Sequence, residues 1–371
     1  MFAKGIRCVS CKKEFSPHLV IYECEECGSP VDIEYDYDGI KKKLIKDLFF
    51  KEQPSHWKYN LLYPIEDLGN RVTLQEGGTP LLPSKKQKGF LFKIEGMNPT
   101  GSFKDRGSTI EISKAVELGV SEVACATTGN MGASVASYCA RAGLRCTIYL
   151  PFFSPKSKIT QIQQMGAETH LVHGTYEDAL AKTKELRKKK HIYLTGDYAY
   201  RGEGEKSVGF EIIDQLNWTS PDYIVLPVGN ATLFSATYKA CYELKILGLL
   251  QTIPKLVAVQ AFGCKPLVDA YQKGQKKITM VKQPQTLASA IACGNPVDGL
   301  KALAALQKTR GLCVDVRDSE ILKAREELAR EEGIFVEPSG AVSYAGAKKL
   351  NLKGTVVCVL TGHGLKDPEK Y

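Results

Sequence analysis

The sequence predicts an α/β fold with parallel sheets in two lobes, preceded by a small cysteine-rich unit. Short, β-branched apolar runs alternate with helical patterns over most of the chain. These runs are apolar on both faces, which favours parallel sheets covered by helices on each side. The length of 371 residues and the hydrophobic content of 43% suffice for a large core.

The first element is marked by two C-x2-C pairs, Cys8 with Cys11 and Cys24 with Cys27. Each pair can direct two thiolates at one point, and two pairs supply the tetrahedral shell of a zinc ion. We predict that residues 1–35 form a zinc ribbon with a structural role, since four thiolates leave no open coordination position. A metal-free hairpin is the alternative. A redox pair is disfavoured because the two pairs flank a strand-like run at Leu19–Tyr22.

Composition excludes several function classes. The other eight cysteines stand singly, mostly in apolar segments, which is typical of reduced core residues in a cytoplasmic protein. No apolar run reaches the length of a membrane span, and the amino terminus lacks a signal-peptide core. The net charge of +9 comes mostly from lysines on predicted helix faces. Without a basic stripe and interleaved aromatic residues, nucleic-acid binding is not expected.

Three further segments follow the predicted ribbon. Residues 36–90 form a connector, with a lysine-rich helix at Ile40–Lys51, and lead into the catalytic core. Residues 91–220 are expected to form a smaller, mobile α/β lobe, and residues 221–371 a second α/β lobe. The predicted strands are 122–127, 146–151, 169–174, 223–229, 255–261 and 355–362.

Three of these strands end in loops of small residues, "ATTGNMGAS" (126–134), "PVGNATLFSATYKA" (227–240) and "LTGHGLKD" (360–367). In open α/β sheets, ligands bind beyond the carboxyl ends of strands, where helix amino termini present backbone N–H groups. Glycines there allow close approach to an anion. Each loop alone is equally compatible with an ordinary turn.

One lysine stands apart from the lysine-rich helix faces. In "EGMNPTGSFKDRGS" (95–108), Lys104 follows a turn and opens an amphipathic pattern, which predicts a position near the first turn of a helix. A desolvated lysine can lose its proton and attack a carbonyl. The familiar carbonyl cofactor is pyridoxal phosphate, which needs such a lysine, a phosphate cradle and a partner for its ring nitrogen. The sequence contains neither a dinucleotide fingerprint nor a P-loop.

With these motifs the sequence resembles the threonine synthases, pyridoxal phosphate enzymes of the tryptophan-synthase-like fold type II. The resemblance covers nearly the whole chain. It rests on the cysteine pairs and on "EGGTPLL", "NPTGSFKDRG", "TTGNMGAS", "CGNPVDGLKAL", "VEPSGAVS" and "LTGHGLKDP". The lysine segment and the terminal motif are specific, whereas the glycine loops alone are not. The resemblance implies two lobes with the cofactor between them, and a homodimer.

The resemblance also assigns roles to single residues. Lys104 would form the Schiff base with the cofactor and later shuttle protons, and Asn130 would bind the phenolic oxygen of the cofactor. Thr361 would face the ring nitrogen, although it could simply end a strand. The cofactor phosphate would be held by the backbone of Gly229, Asn230, Ala231 and Thr232. The α-carboxylate of the substrate would be held by backbone N–H groups of Thr127, Thr128 and Gly129.

Threonine synthases convert O-phospho-L-homoserine and water into L-threonine and phosphate, so the site needs cations for a phosphate dianion. Arg201 and Lys158 align with positions where the family supplies that charge, and Lys206 is a weaker candidate. For each of them, a solvated surface charge is the alternative.

The sequence departs from the family pattern mainly at positions expected on the substrate side, namely Met131, Thr232-Leu233, Tyr198-Ala199 and Ser108. These changes predict a more apolar pocket, and they make the substrate less certain than the cofactor. A paralogue acting on another activated amino acid such as O-phosphoserine is therefore the alternative function. Threonine dehydratase fits less well, and the intact lysine motif disfavours a non-catalytic binding protein.

Overall fold

A computed structural model describes residues 2–44, 49–50, 52–190, 192–196 and 198–368. The beginning of the lysine-rich segment predicted as a helix is observed as helix α1, Tyr37–Lys43, and residues 49 and 50 are helical as well. Asp36 caps this helix by accepting a hydrogen bond from the Gly39 backbone N–H. Residues 45–48 and 51 of the predicted helix lie outside the described residues.

The amino-terminal unit is a three-stranded antiparallel sheet of order β2-β1-β3, with β1 Ala3–Cys8, β2 Glu14–Phe15 and β3 Val31–Tyr35. The strand predicted at Leu19–Tyr22 is wrong, because this segment is irregular. Its apolar residues pack against the body of the protein instead of pairing in a sheet. The Tyr22 ring lies 4.8 Å from that of Tyr198, and its hydroxyl accepts a hydrogen bond from the Leu194 N–H.

A four-stranded parallel sheet has the order β8-β7-β6-β9. Its strands are β6 Glu122–Ala126, β7 Arg145–Pro151, β8 Glu168–Val172 and β9 Tyr193–Thr195. Three of them were predicted from apolar runs. The short β9 was not, because three residues carry too little pattern to distinguish a strand from a loop.

A six-stranded sheet has the order β12-β11-β10-β13-β5-β4 and is parallel except for β4. Its strands are β4 Leu81–Pro83, β5 Phe90–Ile94, β10 Tyr223–Pro227, β11 Lys255–Ala261, β12 Leu312–Val316 and β13 Val356–Leu360. Strands β4 and β5 precede the four-stranded sheet in the chain, yet β5 pairs with β13 near the carboxyl terminus. The domain boundaries at residues 35, 90 and 220 stay predictions.

Helices cover these sheets and connect successive parallel strands. After α1 they are α2 Lys104–Glu117, α3 Asn130–Ala142, α4 Lys156–Gln164, α5 Tyr176–Lys190, α6 Ala199–Glu205, α7 Ser207–Gln215, α8 Thr232–Ile246, α9 Pro266–Gln272, α10 Gly299–Thr309, α11 Asp318–Glu332 and α12 Pro338–Lys349. Helix α2 begins at Lys104, as predicted. It is not amphipathic, however, because every residue from Asp105 to Ala115 is buried.

A buried network of charges explains how α2 can bury its polar residues. The Arg106 guanidinium donates to the carboxylates of Glu95 at 2.6 Å and Glu211 at 2.7 Å, and none of these side chains is exposed. Lys93 on β5 also donates to Glu211, at 2.8 Å. Because a buried charge is tolerated only when it is paired, this network fixes the start of α2 against β5 and α7.

A candidate active site where helix amino termini converge

A cavity lies at the carboxyl ends of β6, β10 and β13. It is lined by most of the residues that the sequence predicted for the site, namely Lys104, Thr127, Thr128, Asn130, Arg201, Gly229, Asn230, Ala231, Thr232 and Thr361. Gly129 and Lys158 do not line it. Glu337, Tyr176, Cys293 and Ser339 line it as well, although the sequence gave them no role.

Four helices point their amino termini at this cavity, α2, α3, α8 and α12. At none of them does the N-cap residue form a side-chain hydrogen bond. The first backbone N–H groups of a helix lack partners within the helix, and the helix dipole adds partial positive charge there. The convergence therefore creates a binding site for anions such as phosphate and carboxylate groups.

Lys104 and Arg201 meet at one carboxylate. The Lys104 side chain is 13% exposed, and its Nζ lies 3.6 Å from Oε1 of Glu205, which is fully buried. The same Oε1 accepts a hydrogen bond of 2.7 Å from Nε of Arg201. Arg201 also donates from Nη1 to the backbone carbonyl of Gly196. The predicted amine, Lys104, and the arginine predicted for the substrate phosphate, Arg201, thus share one buried acid at the cavity wall.

Asn130 is oriented by Glu337. Its amide nitrogen donates to Glu337 Oε1 at 2.5 Å, while its buried amide oxygen has no hydrogen-bond partner among the described residues. The second oxygen of Glu337 lies 2.9 Å from Nζ of Lys158. Lys158 is fully buried, so its charge is directed at Glu337 and not into the cavity. The role of Lys158 as a ligand of the substrate phosphate stays a prediction, and in this geometry its charge is paired with Glu337.

The turn before α3 needs a glycine. Gly129 has a φ of +132°, and a Cβ atom there would overlap the side chain of Lys158. The Thr127 hydroxyl accepts hydrogen bonds from the N–H groups of Gly129 at 2.9 Å and Gly132 at 3.1 Å. The N–H of Gly129 is thus used inside the turn. Thr128 and Asn130 are the residues of this turn that reach the cavity beside Thr127.

The loop before α8 has the shape of an anion cradle. Ala231, the N-cap residue, has a φ of +66°, in the left-handed region that disfavours residues with a Cβ atom. A left-handed residue beside right-handed neighbours turns successive N–H groups toward one point. The side chain of Asn230 donates to the Tyr176 hydroxyl and accepts from the thiol of Cys293, and these two residues of the cavity lining hold the loop in place.

These groups fit pyridoxal phosphate. Lys104 offers an amine, the loop before α8 offers backbone N–H groups at a helix amino terminus, and Thr361 places a buried hydroxyl-bearing side chain at the end of β13, so these residues could hold the cofactor. The buried amide oxygen of Asn130, which has no hydrogen-bond partner among the described residues, can accept a hydrogen bond from a polar group of a ligand. A model of the family "pyridoxal-phosphate dependent enzyme" matches residues 72–362.

The full-length comparison is more specific. The chain is 45% identical to the threonine synthase of Methanocaldococcus jannaschii over 377 residues, covering 98% of this chain and 93% of that protein. The threonine synthase of Methanosarcina acetivorans is also 45% identical, over 98% of this chain and 92% of its own length. The chain belongs to the threonine synthase family.

Solved structures support the family fold. Maize serine racemase superimposes with a TM-score of 0.67 at 20% identity, covering 77% of this chain and 88% of that one. At this identity the likeness concerns the fold alone. The prediction of a fold-type-II α/β architecture is confirmed.

Only some of the departures from the family pattern affect the cavity. Met131, Thr232 and Leu233 line it, and all three are buried. Ser108 does not line it, since its hydroxyl lies 2.7 Å from that of Ser134 in a buried polar cluster. Tyr198 lies behind the cavity wall against Tyr22. The more apolar character that the sequence predicts is therefore limited to Met131 and Leu233.

Lys206, the weaker candidate for the substrate phosphate, is placed elsewhere. It is fully buried and donates to Glu203 at 2.6 Å and Glu243 at 3.1 Å. It does not line the cavity. Its charge is compensated by these two carboxylates, and its role as a ligand of the substrate phosphate stays a prediction that this placement does not favour.

The four amino-terminal cysteines form a second candidate site. The sulfur atoms of Cys8, Cys11, Cys24 and Cys27 all lie within 4.8 Å of one another. Cys8 and Cys27 are 3.4 Å apart, and Cys11 and Cys24 are 3.6 Å apart. These distances exceed a disulfide bond and approach the edge of about 3.8 Å expected for a tetrahedron with zinc–sulfur bonds of about 2.3 Å. Hydrogen bonds from the Ser29 hydroxyl and backbone lower the pKa of Cys27 to about 6, whereas hydrogen bonds with the neighbouring cysteine thiols raise the pKa of Cys11 to about 12.

Among the described residues, no helix is long and apolar enough to cross a membrane.

Proposed function

We propose that this protein is a threonine synthase that converts O-phospho-L-homoserine and water into L-threonine and phosphate. The observation that carries the proposal is the 45% identity to threonine synthases over nearly the full length of both chains. The cavity supports it, since an amine, an arginine and several helix amino termini suit a cofactor and a substrate that both carry phosphate.

Pyridoxal phosphate, when bound, supplies the electron sink for charge that develops on the substrate carbons. In this proposal Lys104 binds the cofactor aldehyde and then carries protons between substrate carbons, because its Nζ is the amine at the cavity wall. Gly229, Asn230, Ala231 and Thr232 hold the cofactor phosphate with backbone N–H groups, assisted by the dipole of α8. Thr361 contacts the ring nitrogen, and Asn130 binds the phenolic oxygen.

The substrate is held at both ends. Arg201 binds its phosphate, because a guanidinium offers paired donors to phosphate oxygens. Thr127, Thr128 and Gly129 form the turn that receives the α-carboxylate, with Thr128 presenting the backbone and the Thr127 hydroxyl keeping the turn in shape. Met131 and Leu233 contact the methylene groups between the two ends.

The cysteine cluster is proposed to bind a structural zinc ion. Four sulfur ligands close the coordination shell, so the ion has no position for substrate or water. The family resemblance further suggests a homodimer, which light scattering on the purified protein tests directly.

The decisive experiment supplies O-phospho-L-homoserine to the purified protein loaded with pyridoxal phosphate, and measures released phosphate and the amino acid formed. Phosphate matched by threonine supports the proposal. A parallel reaction with O-phospho-L-serine tests the alternative function. Turnover of O-phosphoserine without turnover of O-phosphohomoserine would assign the protein to a paralogue with another substrate.

A further inference from the structure

Glu205 is a buried acid at the centre of the site for which neither the motifs nor the family match assigns a role. It ends helix α6 and has no exposed surface. One of its carboxylate oxygens contacts both Arg201 and Lys104, at 2.7 Å and 3.6 Å. The other oxygen is buried and has no hydrogen-bond partner among the described residues. Burying such a carboxylate costs free energy of folding, and the contacts of its other oxygen with Arg201 and Lys104 offset part of that cost.

The backbone holds Glu205 in place. Helices α2 and α6 touch where Gly204 faces Arg106, and a Cβ atom on Gly204 would overlap the Arg106 carbonyl oxygen. A Cβ atom on Gly107 would lie 2.9 Å from the Arg201 side chain. The backbones that carry Glu205 and Lys104 are therefore held in direct contact at these two glycines.

We propose, on the basis of the function proposed above, that Glu205 is a positioning residue for both ends of the reaction. Its single buried carboxylate holds the amine of Lys104 by charge and orients the guanidinium of Arg201 toward the cavity. Through these two contacts Glu205 lies between Lys104, which carries protons at the substrate carbons, and Arg201, which binds the substrate phosphate.

Charge and shape can be separated by substitution. Glu205→Gln keeps the side-chain shape and an oxygen acceptor for Arg201, but it removes the negative charge beside Lys104. An opposite charge within about 4 to 6 Å shifts the pKa of an ionisable group by about one to three units in favour of its charged form. The positive charge of the neighbouring Arg201 offsets part of this effect on Lys104. Lys104 in E205Q is therefore expected to lose its proton about one pH unit lower than in the wild type.

The test uses the full-length protein after removal of the cofactor. Short pulses of acetic anhydride, applied across a pH series, acetylate only neutral amines, and mass spectrometry quantifies the modified peptide that contains Lys104. We expect the midpoint of Lys104 labelling to shift to lower pH in E205Q. Equal midpoints in E205Q and the wild type would overturn the proposal.

A matched control lies on the same helix. Glu203 is equally buried, but its carboxylate faces away from the cavity toward Tyr35, Lys206 and Lys239. Glu203→Gln removes the same charge, and the Lys104 midpoint is expected to stay at the wild-type value. A shift of equal size in E203Q would refute a specific role of Glu205. Circular dichroism verifies that each variant is folded.

A second variant covers the case in which E205Q does not fold. Glu205→Asp keeps the negative charge on a side chain that is shorter by one methylene group, which moves the carboxylate away from Lys104. The midpoint of Lys104 labelling is therefore expected to lie below the wild-type value, by less than the shift of about one pH unit expected for E205Q. A midpoint at or above the wild-type value would contradict the proposal. Because the labelling uses neither substrate nor turnover, its result is separate from the outcome of the substrate assay.

Discussion

Lys104 and Arg201 project from helices whose backbones are in contact, whereas the four cysteines lie at the end of β1 and in the turns beside a three-stranded sheet. Near the cavity, buried ion pairs such as Arg106–Glu95 fix the start of α2, the helix that carries Lys104. In the cysteine module, which comprises β1–β3 and the two C-x2-C turns, two cysteines are exposed and two are buried. The cavity is thus supported by contacts within the protein, and we predict that the cysteine module depends in addition on a bound zinc ion.

The two regions meet across one short helix. Arg201 on α6 lines the cavity, while Glu203, two residues later, accepts a hydrogen bond of 2.6 Å from the Tyr35 hydroxyl of the cysteine module. Lys239 on α8 donates to Asp32 at 2.7 Å and to the Ile33 carbonyl oxygen at 2.6 Å. The module is thus docked on α6 and α8, the two helices that carry residues proposed to bind the phosphate groups of substrate and cofactor.

The largest effect is expected for loss of Lys104, which should abolish the chemistry of the cavity and leave its fold intact. Lys104→Ala should abolish turnover and the absorbance of covalently held cofactor, because the variant lacks the amine. The unfolding free energy should change by only about 1 kcal/mol, since the side chain is not part of the apolar core. Spectra after dialysis and denaturant titrations check both. A variant that retained the absorbance of covalently held cofactor would contradict the role of Lys104.

The second prediction concerns the cysteine module. Replacing Cys8 and Cys11 together by serine should release zinc and make the amino-terminal segment sensitive to protease, because two of four ligands are lost. The cofactor absorbance should remain, since the cavity has its own supporting contacts. Metal analysis and limited proteolysis provide the measurements. Cys313→Ser, at a half-buried cysteine outside the cluster, is the control that keeps the metal. Full zinc content in the double variant would refute the site.

The third prediction concerns acid stability near the cavity. Burial lowers the pKa of His56 to about 4, from an unfolded value near 6.5. As the pH falls from about 6.5 to 4, the unfolded chain takes up a proton that the folded chain does not. The unfolding free energy should therefore fall by about 3 kcal/mol over this range on account of His56.

His56→Gln should flatten this pH dependence in denaturant titrations performed across the same range. His18, whose side chain is 68% exposed, offers the matched control, and His18→Gln should leave the dependence unchanged. An unchanged slope in the His56 variant would show that another group controls acid unfolding.

The smallest expected effect tests the contact between the two regions. Tyr35→Phe removes the hydrogen bond to Glu203, which keeps its ion pairs with Lys206 and Lys239. A loss of about 1 kcal/mol in unfolding free energy is expected, with a small rise in KM for the phosphorylated substrate. Tyr37→Phe removes a longer bond of 3.2 Å to Glu243 and should cost less. The reverse order would argue against docking through Glu203.

The sequence predicted features whose signals are local. The helix start at Lys104 and the glycine of the turn at Gly129 follow from neighbouring residues, and both are observed. Family, cofactor class and function rest on motifs spread along the chain, and the comparisons confirm them. The roles of the individual site residues stay predictions.

Features that depend on distant partners were missed. Glu337 bonds to Asn130, 207 residues away in the sequence, so no local pattern marks it as part of the site. Strand β5 was missed as well, because Lys93 interrupts its apolar run and pairs with Glu211 only in the folded protein. Lys158 and Lys206 are isolated lysines in the sequence, and only the fold reveals that each is paired with a buried acid.

The contact of α2 with α6 at Gly107 and Gly204 has a consequence for substrate choice. Because Gly107 and Gly204 leave no room for a side chain between the two helices, the backbones that carry Lys104 and Arg201 lie in direct contact. We expect this contact to limit how far apart the amine and the guanidinium can lie, and so to favour substrates of one chain length. O-phospho-L-serine, which is one carbon shorter than O-phospho-L-homoserine, is therefore expected to be turned over more slowly, a difference that the parallel substrate assay measures.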